Sequence, residues 1–309
     1  MKAWWLRPAM RLVAALVLPL AVPGILTALI WALPGDPATR VCPTAACAAS
    51  GLAARWHLDQ GAWGFYTAWL SNALQGDFGA SWFVMQGDSV TGLLAESIPT
   101  TVVLLLAAMM PLLVGAVGAG SGFLPRRADG PIQGIGLAPV VIFALFCEAL
   151  ITLKFGSGAF GDEAMRQRVA LGATVLGLAD GALAGAVSGV RALFRSERKQ
   201  RYVQVAVLRG EGVLANMLPN LAPALLGQMR ARMLHLMSGL VVVEVVLKIN
   251  GLGDLLWQGT LKQDFGVVLA AATAFATISA VLLLTQAVGE VLVAMRVRSA
   301  PVVASVRAA

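Results

Sequence analysis

Six long apolar runs, almost free of charge, leave few folds open to this chain. They cover residues 12–33, 98–124, 132–153, 169–190, 234–247 with its flanks, and 267–288. A helix needs about 20 apolar residues to cross roughly 30 Å of hydrocarbon. A barrel would show short alternating strands, whereas these runs are continuous, so the backbone must satisfy its hydrogen bonds within helices. With 58% hydrophobic and only 13% charged residues, the chain has too little polar surface for water to be its main solvent. The sequence therefore predicts an all-α integral membrane protein of about six transmembrane helices.

The basic residues give the orientation. With the N-terminus on the cytoplasmic side, 16 of the 23 Lys and Arg fall in the cytoplasm, including eight between Arg191 and Arg232. The positive-inside rule then places both termini there. Topology accounts for the net charge of +7, so a nucleic-acid partner is not invoked. The first run follows Lys2, Arg7 and Arg11 but is long for a signal-peptide core and lacks a small-residue cleavage site, so it reads as a retained helix.

The expected organisation follows: an N-terminus and first helix (1–33), an external loop with interfacial helices (34–97), a five-helix core (98–293) and a tail (294–309). The external loop is far longer than an ordinary connection and carries Trp56, Trp63, Phe65, Tyr66, Trp69 and Trp82. Aromatic side chains just outside a span rest at the headgroup level, so short helices over 52–56 and 63–74 are expected on the membrane surface. Cys42 and Cys47 lie in this loop, where a disulfide is possible but not required. Cys147 reads as a small core residue. His57 and His235 fall in different regions, which gives no Cys/His metal-site pattern. On the inner side, 125–130 is a short turn, while 191–223 is a charged, helical-looking stretch too long for a simple connector.

Several short motifs occur in a telling order. Leu33-Pro34-Gly35-Asp36-Pro37 ends the first span and turns the chain along the surface. Leu58-Asp59, Tyr66, Trp69-Leu70, Gly76-Asp77-Phe78-Gly79-Ala80-Ser81 and Ser97-Ile98-Pro99-Thr100-Thr101 follow. In the inner loop come Arg191, Tyr202-Val203, Ala206 and Gly210, then Leu218, Asn220 and Pro223. A small-residue run closes in Val241-Val242-Val243-Glu244, ahead of Asn250-Gly251-Leu252-Gly253 and Asp264-Phe265-Gly266-Val267-Val268. In this order the motifs resemble those of the dipeptide/oligopeptide/nickel permease family of ABC importers, the subunit type with a long loop after its first helix. The chain departs from the family's pattern in places. The stretch from Gly210 to Asn220 is shorter by roughly one helical turn, Pro219 stands where arginine is usual, and Asn250 replaces a proline. It resembles a divergent member.

The resemblance implies a type I importer fold and several partners: a second, similar permease, two cytoplasmic ATPase subunits and a periplasmic binding protein, all in a bacterial inner membrane with its lipid. It makes Arg191, Tyr202, Ala206, Gly210, Leu218 and Asn220 the ATPase-coupling loop, and Glu244, Gly251, Gly253 and Asp264 candidates for a gate or translocation pathway. The implied cargo is a short peptide or similar polar solute. No cofactor is expected. No Gly-x4-Gly-Lys-Ser/Thr pattern occurs, so ATP hydrolysis is expected from another chain.

Other classes leave weaker signals. Glu148, Asp180 and Glu244 are costly in hydrocarbon unless they face protein or water, and would suit a proton-coupled carrier. Helix-packing roles serve Glu148 and Asp180 equally well. An intramembrane acid protease needs two facing aspartates, and only Asp180 lies well inside a span. A homologue that assembles but does not transport also remains open. The glycines at 115, 118, 120 and 122 lie within an apolar helix and read as packing sites, not a phosphate loop. Arg195 to Arg201 form a basic run placed as a docking element, and Arg230 and Arg232 read as anchors reaching the headgroups.

Overall fold

A computed structural model describes residues 6–41, 54, 56–156 and 161–299. Its helices are α1 (Leu6–Ala32), α2 (Pro37–Val41), α3 (Gly61–Ala73), α4 (Val90–Ser121), α5 (Asp129–Gly136), α6 (Val140–Phe155), α7 (Asp162–Leu178), α8 (Ala182–Arg198), α9 (Arg201–Leu208), α10 (Val213–Val246), α11 (Leu252–Leu261) and α12 (Phe265–Ser299). The remaining order among the described residues is a few 3-10 turns and an isolated bridge between Ala80 and Ser89. The all-α membrane architecture is as expected. Cys42 and Cys47 lie outside the described residues, as do most of 52–56 and all of the tail beyond Ser299.

Four of the described helices or joined helices are long and apolar enough to cross a membrane: Ala9–Ala32, Val90–Ser121, Asp162–Arg198 and Phe265–Val293. A fifth crossing arises if the bent pair Arg126–Gly136 and Val140–Phe155 forms one span. The run expected at 234–247 lies in α10, whose 34 residues reach about 51 Å. Arg230, Arg232, His235 and Glu244 lower the apolarity of that helix, so length qualifies it and composition does not.

Two spans expected to be continuous are broken. The third bends by 79° between α5 and α6. Pro139 lacks the N–H that would continue the helix, and its extended backbone opens the turn. The fourth breaks between α7 and α8, where Asp180 and Gly181 take left-handed angles (φ 49° and 71°). The two breaks lock together. Asp180 N–H donates to the Ala138 carbonyl (3.2 Å), and its carboxylate accepts from Val140 N–H (3.1 Å) at the open end of α6. A Cβ on Gly136 would lie 3.0 Å from the Gly181 Cα. Asp180 therefore has a helix-joining role.

The main core joins α4, α6, α7, α8 and α10 through Leu104, Leu112, Ala144, Ile151, Leu176, Ala186, Leu236 and Leu240. Inside a bilayer such helices associate by close packing, which favours small residues at contacts. A Cβ on Gly115 would come within 2.6 Å of Leu183, and one on Gly120 within 3.0 Å of Phe194. That is the packing role read from the sequence. The Arg232 guanidinium lies over Gly185 on α8, where a Cβ would meet its Cζ at 2.7 Å. Outside the main core, α1 packs along α12 and against α3, and the Tyr66 hydroxyl donates to the Leu20 carbonyl (2.8 Å).

Candidate functional site

The candidate residues gather at the two ends of the bundle. Thr101 and Gly122 mark those ends on α4 and are separated by about 30 Å of helix, the thickness of the hydrocarbon layer.

At the Thr101 end, Glu244 is fully buried near the end of α10. Its Oε1 accepts from the Thr101 hydroxyl (2.7 Å), and its Oε2 accepts from Gly253 N–H (2.6 Å) and Asp254 N–H (3.2 Å). The same Thr101 hydroxyl accepts from Leu252 N–H (2.7 Å). These N–H groups belong to the first turn of α11, which has no helical acceptors for them, and the carboxylate supplies both acceptor and negative charge there. Glycine is required at two neighbouring positions. A Cβ on Gly251 would collide with the Glu244 carboxylate, and one on Gly253 would sit 2.7 Å from the Val241 Cα. Glu244, Gly251 and Gly253 thus form one joint among α4, α10 and α11.

Asp264 is also fully buried and sits just before α12. Its Oδ2 accepts from the Ser81 hydroxyl (2.7 Å) and from the N–H groups of Trp82 (2.7 Å), Phe83 (2.9 Å) and Val84 (3.2 Å). Its Oδ1 accepts from Val267 N–H (3.3 Å) and caps α12. One carboxylate fastens the segment following α3 to the start of the last long helix. Around it Trp82 stacks on Trp56 (centroids 4.3 Å apart) and meets Phe265 edge-on (5.7 Å). Trp56 and Trp82 thus form a packed cluster with Phe65 and Trp69, both buried, while Trp63 stays exposed.

A third polar group was missed as a set. Arg168 on α7 is fully buried and pairs with Glu148 of α6 (2.7 Å), while its guanidinium also donates to the Leu247 carbonyl (2.5 Å). Lys248 reaches the other Glu148 oxygen at 3.1 Å. The acid in an apolar run was the available signal, because it needs a partner. Arg168 is that partner.

At the opposite end, Arg191 bonds Asp129 and donates to the carbonyls of Leu124 (2.8 Å) and Pro125 (3.3 Å). It ties α8 to the 124–129 turn. Beyond it, Val203 on α9 is buried in a cluster with Met217 and Leu221 of α10, and Ala206 one turn further on is also buried. On the outward side Val205, Val207 and Leu208 are exposed, Leu208 at 86%. Gly210 ends the helix in a left-handed turn (φ 69°), and Glu211 N–H returns to the Ala206 carbonyl (3.0 Å). Tyr202 bonds Glu197. Burial, with Glu197 adding to it, pushes the Tyr202 phenol above its usual range, and Asn220 pulls the other way. The structure thus gathers Tyr202, Ala206, Gly210 and Asn220 around α9. Leu218 lies exposed on the first turns of α10 and Arg191 stands apart on α8.

The chain is similar to known transport proteins over most of its length. It is 26% identical over 253 residues to the oligopeptide transport system permease protein OppB of Escherichia coli (strain K12), covering 77% of this chain and 81% of that protein. The protein of the same name from Salmonella typhimurium (strain LT2) is 26% identical over 255 residues with the same coverage. The family model described as binding-protein-dependent transport system inner membrane component matches residues 95–293, from just before Thr101 through the Glu244 joint and α9 to the end of the last apolar run. The chain belongs to the family of inner membrane components of binding-protein-dependent transport systems.

Proposed function

We propose that this chain is the permease subunit of an ATP-driven ABC importer that carries short peptides or a similar polar solute across the inner membrane, with both termini in the cytoplasm. In this reading it pairs with a second permease, receives cargo from a periplasmic binding protein and couples to two ATPase subunits. The peptide assignment draws on the likeness to oligopeptide permeases. The observation that carries the coupling role is α9, a short helix anchored by Val203 and Ala206 that leaves Val205 and Leu208 exposed on its other face. Such a helix has an apolar face that its own chain does not cover. The Glu244 joint then holds α11 at the outer end as part of the gate.

Leu208 provides the cleaner test, because Ala206 is buried against its own chain and its replacement would disturb the fold. In the reconstituted complex, Leu208→Asp is expected to reduce substrate-stimulated ATPase activity about tenfold or more, as loss of an apolar contact at an interface centre does. The thermal unfolding temperature of the isolated chain stays unchanged. If Leu208→Asp leaves co-purification and coupling intact, α9 is not the docking element. If the wild-type chain purifies alone and moves solute without ATP, the secondary-carrier reading replaces this one. Assembly with no transport points instead to a non-transporting homologue.

A further inference from the structure

A cleft of about 420 Å³ opens at the end of the bundle that carries α9. Its cationic wall is Arg126, Arg191, Arg195, Arg198 and Lys199, and Ala119, Leu124 and Phe194 form its apolar side. Arg195 and Arg198 in the last turn of α8 and Lys199 at its C-cap recur at three- and four-residue spacing on one side of the helix end. Arg126 faces them from the turn after α4. Arg191 is already neutralised by Asp129. Among the described residues, Arg126, Arg195, Arg198 and Lys199 form no ion pair. Four uncompensated cations converging from two elements on one concavity repel one another unless an anion sits between them.

The surroundings indicate what carries the anion. Gly122 directly follows the candidate span Val90–Ser121 and lies about 30 Å along α4 from Thr101, the thickness of a hydrocarbon layer, which puts the cleft beside the depth at which lipid phosphates begin. Phe123, next to the cleft and 91% exposed, presents an aromatic ring to the same depth. Guanidinium groups bind phosphate through paired N–H donors, and basic pockets between transmembrane helices suit anionic headgroups. The basic run placed in the sequence as a docking element is thus divided: α9 offers the apolar face, while Arg195, Arg198 and Lys199 turn into the cleft.

We propose that this cleft is a binding site for a phosphate group, supplied by the headgroup of an anionic phospholipid. The choice of the cytoplasmic leaflet rests on the orientation proposed above; the site itself does not.

The test uses the purified full-length chain in mild detergent, with retained lipid read by native mass spectrometry and stability by thermal unfolding. Phosphatidylglycerol should bind and stabilise, and phosphatidylcholine should do so far less. Each headgroup-facing cation contributes about fivefold. The variant carrying Arg195→Gln, Arg198→Gln and Lys199→Gln should therefore lose affinity for phosphatidylglycerol by roughly a hundredfold, while unfolding without lipid stays as in wild type. Arg195→Lys with Arg198→Lys keeps the charge and should retain binding within several-fold. Equal responses to the two lipids, or an unchanged response in the triple variant, overturn the proposal. Inorganic phosphate protecting as well as phosphatidylglycerol assigns the site to a soluble anion and overturns the lipid source. Loss of ATPase co-purification in the triple variant with an unchanged lipid response makes the cleft a protein-docking surface and overturns it too. Because the lipid measurement needs neither ATPase nor binding protein, its failure is separable from failure of the importer reading.

Discussion

Removing the Glu244 carboxylate separates a structural joint from a gating acid. In Glu244→Ala the Thr101 hydroxyl and the N–H groups of Gly253 and Asp254 lose their acceptor. A buried donor left unpaired costs about 1–3 kcal/mol. Asp254 is less buried than the other two, so the three together should cost roughly 3–5 kcal/mol. For a chain of this size that is a fall in unfolding temperature of roughly 5–8 °C. Glu244→Gln keeps an oxygen for the α11 N–H groups and loses the charge at the helix N-terminus, a penalty of about 1–2 kcal/mol. Thermal unfolding in detergent, with transport in proteoliposomes normalised to folded protein, gives both numbers. The joint predicts that Glu244→Ala is clearly less stable than Glu244→Gln and that Glu244→Gln still transports. If Glu244→Gln folds as well as wild type and fails to transport, the carboxylate acts through its charge or proton, and the structural reasoning is refuted.

Asp264→Ala removes the acceptor of four donors in residues 81–84. Hydrogen exchange at Trp82, Phe83 and Val84 should accelerate by at least about tenfold, and tryptophan emission should shift red as the Trp56–Trp82 stack opens; unchanged protection there would rule out the clamp. Arg168→Met removes one of the two cations on Glu148, leaving Lys248, and also takes the donor from the Leu247 carbonyl; it should destabilise by about 1–3 kcal/mol. Combining it with Glu148→Gln should recover part of that loss, because the two side chains act as a pair. Additive unfolding shifts in the double variant would show that the pair does not couple.

Legibility in the sequence followed the range of the signal. Residues 98–124 were readable because an uninterrupted apolar run needs no partner to be recognised, and α4 starts earlier only because its first turns leave the apolar run. The breaks at Ala138-Pro139 and Asp180-Gly181 had local signals, a proline and an Asp-Gly turn pair, which the apolarity around them overrode. The motifs containing Ser81, Thr101, Glu244 and Asp264 singled out these residues but not which of them bond to one another. Thr101 and Glu244 are 143 residues apart and Ser81 and Asp264 are 183 apart, so no periodicity relates them. The Arg168–Glu148 pair was not legible for a related reason: Arg168 lies just ahead of one apolar run, and Glu148 belongs to another.

What the structure adds is the path between the two ends. Met217 and Leu221 pack in the cluster that anchors α9 through Val203, and Glu244 lies about 40 Å further along the same α10. Pro219 and Pro223 fall within its first turns, where missing N–H groups weaken the helix. Beyond them the helix is continuous and held by Leu236, Leu240 and Val243 in the main core. Under the importer proposal, displacement of α9 is divided at those prolines between bending α10 and moving it as a rod. Only rod motion would be felt at Glu244, which bears directly on α11 and Thr101. Replacing both prolines with alanine stiffens that junction, and should raise transport per ATP hydrolysed if bending dissipates the stroke or lower it if bending is the hinge that permits it. An unchanged ratio would show that α10 is not the route.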